Sequence, residues 1–175
     1  SYVFCAEMHM PVLSWKKHTL QFKQPSGTSR GVLRTKDSWF LIYEDSTLEQ
    51  PAVGDSSLIE GLSPDDPGKI PQLLDQICSL NLEQLRSFSA PAKMPAVQFG
   101  LETLLSDIQA AGSKLHNGPT GFTAGDEKIL INGLIWMGAP EFMKRQIQEK
   151  IARGFKCIKL KIGAIDFEQE LALLE

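Results

Sequence analysis

Lys159 and Lys161 stand two residues apart in the stretch Phe155-Lys156-Cys157-Ile158-Lys159-Leu160-Lys161-Ile162-Gly163. The stretch is rich in β-branched and aromatic residues, follows a glycine and ends on one, and so predicts a strand. Side chains on a strand alternate between faces. Ile158, Leu160 and Ile162 then form an apolar face able to pack under helices, and Phe155, Cys157, Lys159 and Lys161 form the other. Two ammonium groups roughly 6–7 Å apart on one face disfavour each other's charge, and partial burial acts in the same direction. A lysine drawn toward neutrality in this way can serve as a general base on a carbon acid. A surface edge strand with alternating lysines gives the same pattern, and the strand alone leaves both readings open.

Other chemistry-bearing residues are weaker candidates. Arg30 lies in the polar loop Gln24–Gly31, where a guanidinium could meet a carboxylate bidentately or simply be solvated. Asp55 and Glu60 are a possible acid pair, but such residues are more often turn formers and solvated charges. His9, His18 and His116 have no ligand spacing; His18 falls on an apolar strand face and is expected in the core. Cys157 shares the lysine face and is expected to pack. Gly27 and Gly31 are not followed by Gly-Lys-Ser/Thr, so they make no phosphate loop.

These residues sit in a 175-residue chain with 42% hydrophobic and 22% charged residues and a formal charge of −3. That is ordinary for a globular protein. Acidic and basic residues are interspersed, which argues against a nucleic-acid partner. Three distant cysteines have neither disulfide-framework nor zinc spacing, so a reducing cytoplasm is the expected location. No signal peptide is visible, and Ile129 to Met137 is too short to span a bilayer.

The elements that must position the lysines follow from patterning. Alternation over about Ser14–Lys23, Val32–Lys36 and Trp39–Glu44, with turns at Gln24–Gly31 and Asp37-Ser38, predicts a three-stranded antiparallel sheet. Val53–Ser63 is expected to be a loop. Ile70, Leu73, Leu74, Ile77 and Leu80 make one helical stripe. Asn81 with Gln84 has the form of a capping box. Pro95 opens a helix carrying Val97, Leu101, Leu104, Leu105 and Ile108, stopped by Gly112. After a Gly-, Asn- and Thr-rich linker, a buried strand is expected over Ile129–Met137, then a helix from Pro140 to Arg153, then the lysine strand. Asp166, with Gln169, opens a last helix. Strand-helix-strand-helix is the start of a parallel α/β fold. The predicted organisation is an α+β domain over 1–112, a linker over 113–128 and the first βα units of a barrel over 129–175. Two such units cannot close a barrel of eight, so the polypeptide is expected to continue past Glu175.

Four motifs in order carry a resemblance: Gly54-Asp55-Ser56-Ser57-Leu58-Ile59-Glu60-Gly61-Leu62-Ser63, Gln98-Phe99-Gly100-Leu101-Glu102-Thr103, Ile131-Asn132-Gly133-Leu134-Ile135-Trp136-Met137-Gly138, and Lys159-Leu160-Lys161-Ile162-Gly163. With them the chain resembles the enolase superfamily, in its muconate-lactonizing subgroup, and more narrowly its o-succinylbenzoate synthase family. The resemblance implies an α+β capping domain followed by the opening of a modified β/α barrel. It implies a dehydratase of menaquinone biosynthesis that removes the proton next to a carboxylate and then expels water. Lys161 matches the family's base and subsequent acid, and Lys159 the neighbour that tunes it. The loop Ser26–Gly31, with Arg30, matches a capping loop over a small carboxylate substrate. The family's cofactor is Mg²⁺ or Mn²⁺, and its ligands would lie beyond Glu175, with none in this chain. A fragment alone is then expected to be inactive. A dipeptide epimerase, an N-acylamino-acid racemase or a muconate cycloisomerase would share these features, and a non-catalytic α+β module remains an alternative of another class. No membrane partner is expected.

Overall fold

The computed structural model describes residues 10–28, 31–113, 119–160 and 166–172. Lys161, Arg30, Cys5, His9 and His116 lie outside the described residues. The chain divides into two compact units, one from residues up to Leu20 together with Lys36–Pro119, the other from Gln21–Thr35 together with Thr120 onward.

The sheet has the order β1 (Val12–Thr28), β2 (Gly31–Glu44) and β3 (Ala52–Ser57); its residues outside 21–35 belong to the first unit. Only two residues connect β1 to β2, which a parallel pair could not accommodate. β2 and β3 are antiparallel, with Trp39 opposite Ser56, Leu41 opposite Gly54 and Tyr43 opposite Ala52. All six of these residues are buried. Large residues on β2 thus face small ones on β3, and the space left over β3 is filled by a helix.

The sheet departs from its predicted form in three places. Val32–Glu44 is one strand, because the polar Asp37-Ser38 pair is satisfied sideways instead of turning. Asp37 accepts from the Thr19 hydroxyl at 2.6 Å and pairs with Lys17 at 2.7 Å, and Ser38 shares a 2.6 Å hydrogen bond with the Ser57 hydroxyl. The expected loop at Gln24–Gly31 begins late, since β1 continues to Thr28. The third strand is Ala52–Ser57, and all of it but Ala52 falls in the segment expected to be a loop. Its Gly, Asp and Ser residues have poor strand propensity, and tertiary packing overrides them. His18, expected in the core, is exposed.

Helices α1 (Ile70–Cys78), α2 (Leu82–Ser87) and α3 (Pro95–Gln109) cover the sheet. α1 buries Ile70, Leu74 and Ile77, the predicted stripe. α2 opens on the Asn81–Gln84 capping box, both reciprocal bonds at 2.9 Å. α3 begins at Pro95 and is capped from a distant loop, the buried Asp65 accepting from the Ala96 N–H at 2.9 Å. At its other end the buried Asp107 accepts from the Val53 N–H at 2.8 Å, tying α3 to β3. A hydrogen bond to a charged acceptor of this kind contributes about 1.5–3 kcal/mol. Glycines set the approach: a Cβ on Gly54 would collide with the Gly100 carbonyl, and one on Gly100 with the Ser56 hydroxyl.

The second unit contains α4 (Gly121–Ala124), β4 (Gly133–Ile135), α5 (Pro140–Ala152), β5 (Ile158–Leu160) and α6 (Phe167–Leu171). β4 and β5 pair in parallel, Gly133 with Ile158, Leu134 with Lys159 and Ile135 with Leu160. α5 starts on Pro140 and stops at Gly154, whose φ is +80°. The Phe155 N–H bonds Lys150 O at 3.1 Å and the Gly154 N–H bonds Ile151 O at 2.9 Å, the paired closure of a Schellman motif. The strand expected over Ile129–Met137 is confined to 133–135, and Ile129, Leu130 and Ile131 are 62%, 94% and 69% exposed. The register explains this: residues before Gly133 would have to pair with the bend that leaves α5, where the backbone is not yet extended. No helix among the described residues is long and apolar enough to cross a membrane.

Candidate functional site

The lysine strand reaches the second unit through the Gly154 turn, and its side chains alternate as a strand requires. Ile158 and Leu160 are half-buried, while Lys159 is exposed. The Ile158 side chain lies on the side of α5: a Cβ built on Gly133 would sit 3.1 Å from Ile158 Cδ1 and 3.1 Å from the Cβ of Lys150, a residue of α5. Lys159 therefore occupies the face of β5 turned from that helix. Lys161, the proposed partner of Lys159, lies outside the described residues, as does Arg30. Cys157, expected to pack, is exposed, and its carbonyl accepts from the Gly133 N–H at 2.8 Å. Asp55 is half-buried in β3 and Glu60 is exposed, so strand pairing and solvent account for them without an acid pair. Asp166 accepts from the Glu168 N–H at 3.0 Å at the start of α6.

A cavity of about 330 Å³ lies within the second unit, lined by Phe22, Lys23, Gln24, Pro25, Trp136, Met137 and Phe142. Trp136 and Met137 follow directly on the C-terminal end of β4, and Phe22–Pro25 belong to the far half of β1. Its volume is at the small end for ligand pockets, and its walls are mostly apolar with one cation and one amide, the usual make-up of such a site. Sequence reasoning missed this cavity, because Phe22 and Lys23 lie more than a hundred positions from Trp136 and no local pattern relates them.

Sequence reasoning also missed Gln146. Its side-chain amide accepts from the Trp136 N–H at 3.0 Å and donates to the Trp136 carbonyl at 3.0 Å. A primary amide presents a donor and an acceptor side by side, so Gln146 pairs with Trp136 as a neighbouring strand's peptide groups would. It also reaches the Phe142 carbonyl at 3.4 Å. Gly138 allows Phe142 to approach, since a Cβ there would come within 2.7 Å of the Phe142 ring.

Among the described residues, no group of three or more His, Cys, Asp or Glu side chains could hold a metal ion. Asp166, the carboxylate that follows the lysine strand, is one ligand where Mg²⁺ requires near-octahedral oxygen coordination. The described residues therefore do not by themselves fit the metal that the resemblance implies.

No family model matches the sequence. The chain is 38% identical to the o-succinylbenzoate synthase of Desulfotalea psychrophila, across 93% of this chain and 52% of that protein. The crystal structure of MenC from Desulfotalea psychrophila superposes with a TM-score of 0.72 at 30% identity, covering 94% of this chain and 51% of the other. The o-succinylbenzoate synthase of Thermosynechococcus elongatus, solved with Mg in its active site, gives a TM-score of 0.64 at 23% identity, covering 93% and 46%. The chain thus spans about half the length of the curated relative it matches. Its fold is the one these structures share: an α+β capping region leading into the first βα units of a β/α barrel that does not close within this chain.

Proposed function

We propose that the chain belongs to the o-succinylbenzoate synthase family of the enolase superfamily, and that the whole protein is a carbon–oxygen lyase acting on a small cyclic carboxylate. The observation that supports this most directly is the parallel pairing of β4 with β5, with Lys159 on the face of β5 away from α5. An enolising enzyme needs a base there, at the C-terminal end of a barrel strand. Residues 1–112 would form the capping domain, 113–128 the linker and 129–175 the start of the barrel.

In this reaction Lys161 Nζ takes the proton from the carbon next to the carboxylate, and the electron pair of that C–H bond moves into the carboxylate as an enediolate. Lys159, two positions earlier on the same face, lends positive charge to the site and lowers the affinity of Lys161 for its proton. The enediolate then collapses, the bond to the β-hydroxyl breaks, and Lys161 returns its proton to the departing oxygen as water. Arg30 would meet a substrate carboxylate. A divalent cation, Mg²⁺ or Mn²⁺, would come with ligands from outside the described residues. It would supply a counter-charge, and no step above is assigned to it.

The test is an absorbance assay for o-succinylbenzoate formation by the whole protein, its Lys161→Ala variant and residues 1–175 alone. Loss of a general base lowers turnover by about 10²–10⁴-fold, and the isolated 175 residues should be inactive. A Lys161→Ala protein that keeps its rate would overturn the assignment. Turnover of a dipeptide in place of the cyclohexadiene substrate would move the protein to an epimerase.

A further inference from the structure

We infer that Gln146 is a positioning residue: it holds the Trp136–Met137 wall of the second unit's cavity in place and thereby sets the affinity for the apolar part of a ligand bound there. The step from cavity to substrate rests on the function proposed above; the step from Gln146 to Trp136 does not.

The argument starts from the backbone. The described pairing of β4 with β5 ends at Ile135 and Leu160. Trp136, the next residue, is 44% exposed and lines the cavity together with Met137, which is buried. A backbone that leaves a sheet keeps its direction only if its N–H and C=O find new partners. Gln146 supplies both with one side chain, at 3.0 Å each. It reaches from the second turn of α5 and is itself half-buried. Phe142, one turn earlier on α5, lines the same cavity and lends its carbonyl to the same amide. A single amide therefore ties Trp136 to the helix that carries Phe142. Replacing it with an aliphatic residue would remove both bonds to Trp136. Replacing it with a carboxylate would keep the acceptor, lose the donor, and set an anion against the Trp136 carbonyl. A protonated carboxyl has an O–H donor and a carbonyl acceptor side by side, so acidification would restore the pair.

That reversal gives a signature that a merely structural glutamine would not produce. In the whole protein, the contribution of Trp136 to emission is isolated by comparing each variant with its Trp136→Phe counterpart, and its quenching by acrylamide, a neutral quencher, is measured at pH 8 and at about pH 3.5, below the ordinary glutamate pKa. Quenching should rise in Gln146→Ala at both pH values. In Gln146→Glu it should rise at pH 8 and fall back toward the wild-type level at about pH 3.5, where the carboxyl is protonated. In the turnover assay, KM for the cyclohexadiene substrate should rise about tenfold in Gln146→Ala, the effect of losing about one hydrogen-bonded constraint, with kcat changing by less than about threefold. Quenching that is unchanged in Gln146→Glu at both pH values overturns the positioning role, even if Gln146→Ala does not fold. Quenching as expected with an unchanged KM, or with kcat falling as far as KM rises, overturns the link to ligand affinity. The quenching pattern in the variants together with no dehydratase turnover by the wild-type protein would sink the proposed function while leaving the positioning role standing.

Discussion

The two units solve the packing of a strand on a helix in opposite ways. In the first, β3 and α3 meet backbone to backbone: Gly54 and Gly100 leave no room for a methyl group, and Asp107 fastens the strand's Val53 N–H. In the second, β4 and α5 meet through flexible side chains, with Lys150 and Ile158 against Gly133 and the Gln146 amide on Trp136. The burial is correspondingly unequal. Trp39, Leu41, Ile70, Leu74, Ile77, Val97, Leu101 and Leu104 are all buried in the first unit, whereas Ile135, Met137 and Met143 are the buried apolar residues of the second, among those described. The difference teaches where each kind of change is tolerated. Rigid backbone contacts make a platform that resists alteration, and side-chain contacts make a site that can be adjusted.

The comparison is most severely tested by adding atoms. Gly54→Val should destabilise by about 3 kcal/mol or more, the upper end of overpacking, because the obstacle is a backbone carbonyl. Gly133→Ala should cost less, about 1–2 kcal/mol, because its neighbours are side-chain atoms at 3.1 Å that need to give by only a few tenths of an ångström. Urea denaturation of both variants measures this, and equal losses would erase the distinction.

Removing atoms should sharpen it. Leu74→Ala leaves a cavity in the first unit and should cost about 2–5 kcal/mol. Leu130→Ala, at a side chain 94% exposed, should stay within about 0.5 kcal/mol. A large loss from Leu130→Ala would mean that Ile129–Ile131 is covered in the protein as studied in solution.

A smaller effect separates the two described cysteines. Burial, with the nearby Asp75 carboxylate, pushes the Cys78 thiol up to about 11. Cys157 is exposed. A maleimide at pH 7.5 should therefore label Cys157 well before Cys78, with peptide mass spectrometry as the readout. The folded-state value of Cys78 lies above its ordinary value near 9.0, so its contribution to stability is complete below pH 9 and lost as pH rises toward 11.

The least change is expected at Asp37, where hydrogen bonds from Lys17 and Thr19 hold the carboxyl below its ordinary range. Its stabilising contribution is present above the ordinary carboxyl value of 3.8 and disappears as pH falls through the lower folded-state value. Lys17→Met should move the Asp37 titration upward, as followed by NMR of its carboxyl carbon. A titration that stays in place would mean that the ion pair is not kept in solution.

What the sequence makes legible follows the same division. Signals that are local in the chain come through: the Asn81–Gln84 box, Pro95 and Pro140 at helix starts, the Gly154 stop, and the parallel order of β4 and β5. Features that depend on distant partners do not. Ala52–Ser57 carries residues that disfavour strands, and only the approach of Gly100 shows why glycine and serine belong there. Asp37-Ser38 looks like a turn until Lys17, Thr19 and Ser57 are seen beside it. Ile129–Ile131 looks like a buried strand because hydrophobicity alone does not say whether a partner strand is extended at that level. His18 and Cys157 were placed by alternation, which assigns a face and says nothing of whether that face is covered. At the site, the Lys159 strand was legible, whereas Gln146, acting ten residues away on a backbone group, left no pattern to find.

The hairpin of β1 and β2 carries one more consequence. Because residues 21–35 belong with the later part of the chain while their flanks belong with the earlier part, the polypeptide passes from one unit to the other three times, near positions 20, 35 and 119. A single recombination point in the gene could not transplant the second unit whole. Cutting at 119 would carry away its strands and helices and leave Phe22, Lys23, Gln24 and Pro25 behind with the donor. If the cavity holds the ligand as inferred above, substitutions on both of its sides are the simplest way to change specificity, and Trp136 is expected to vary in step with Phe22 and Lys23.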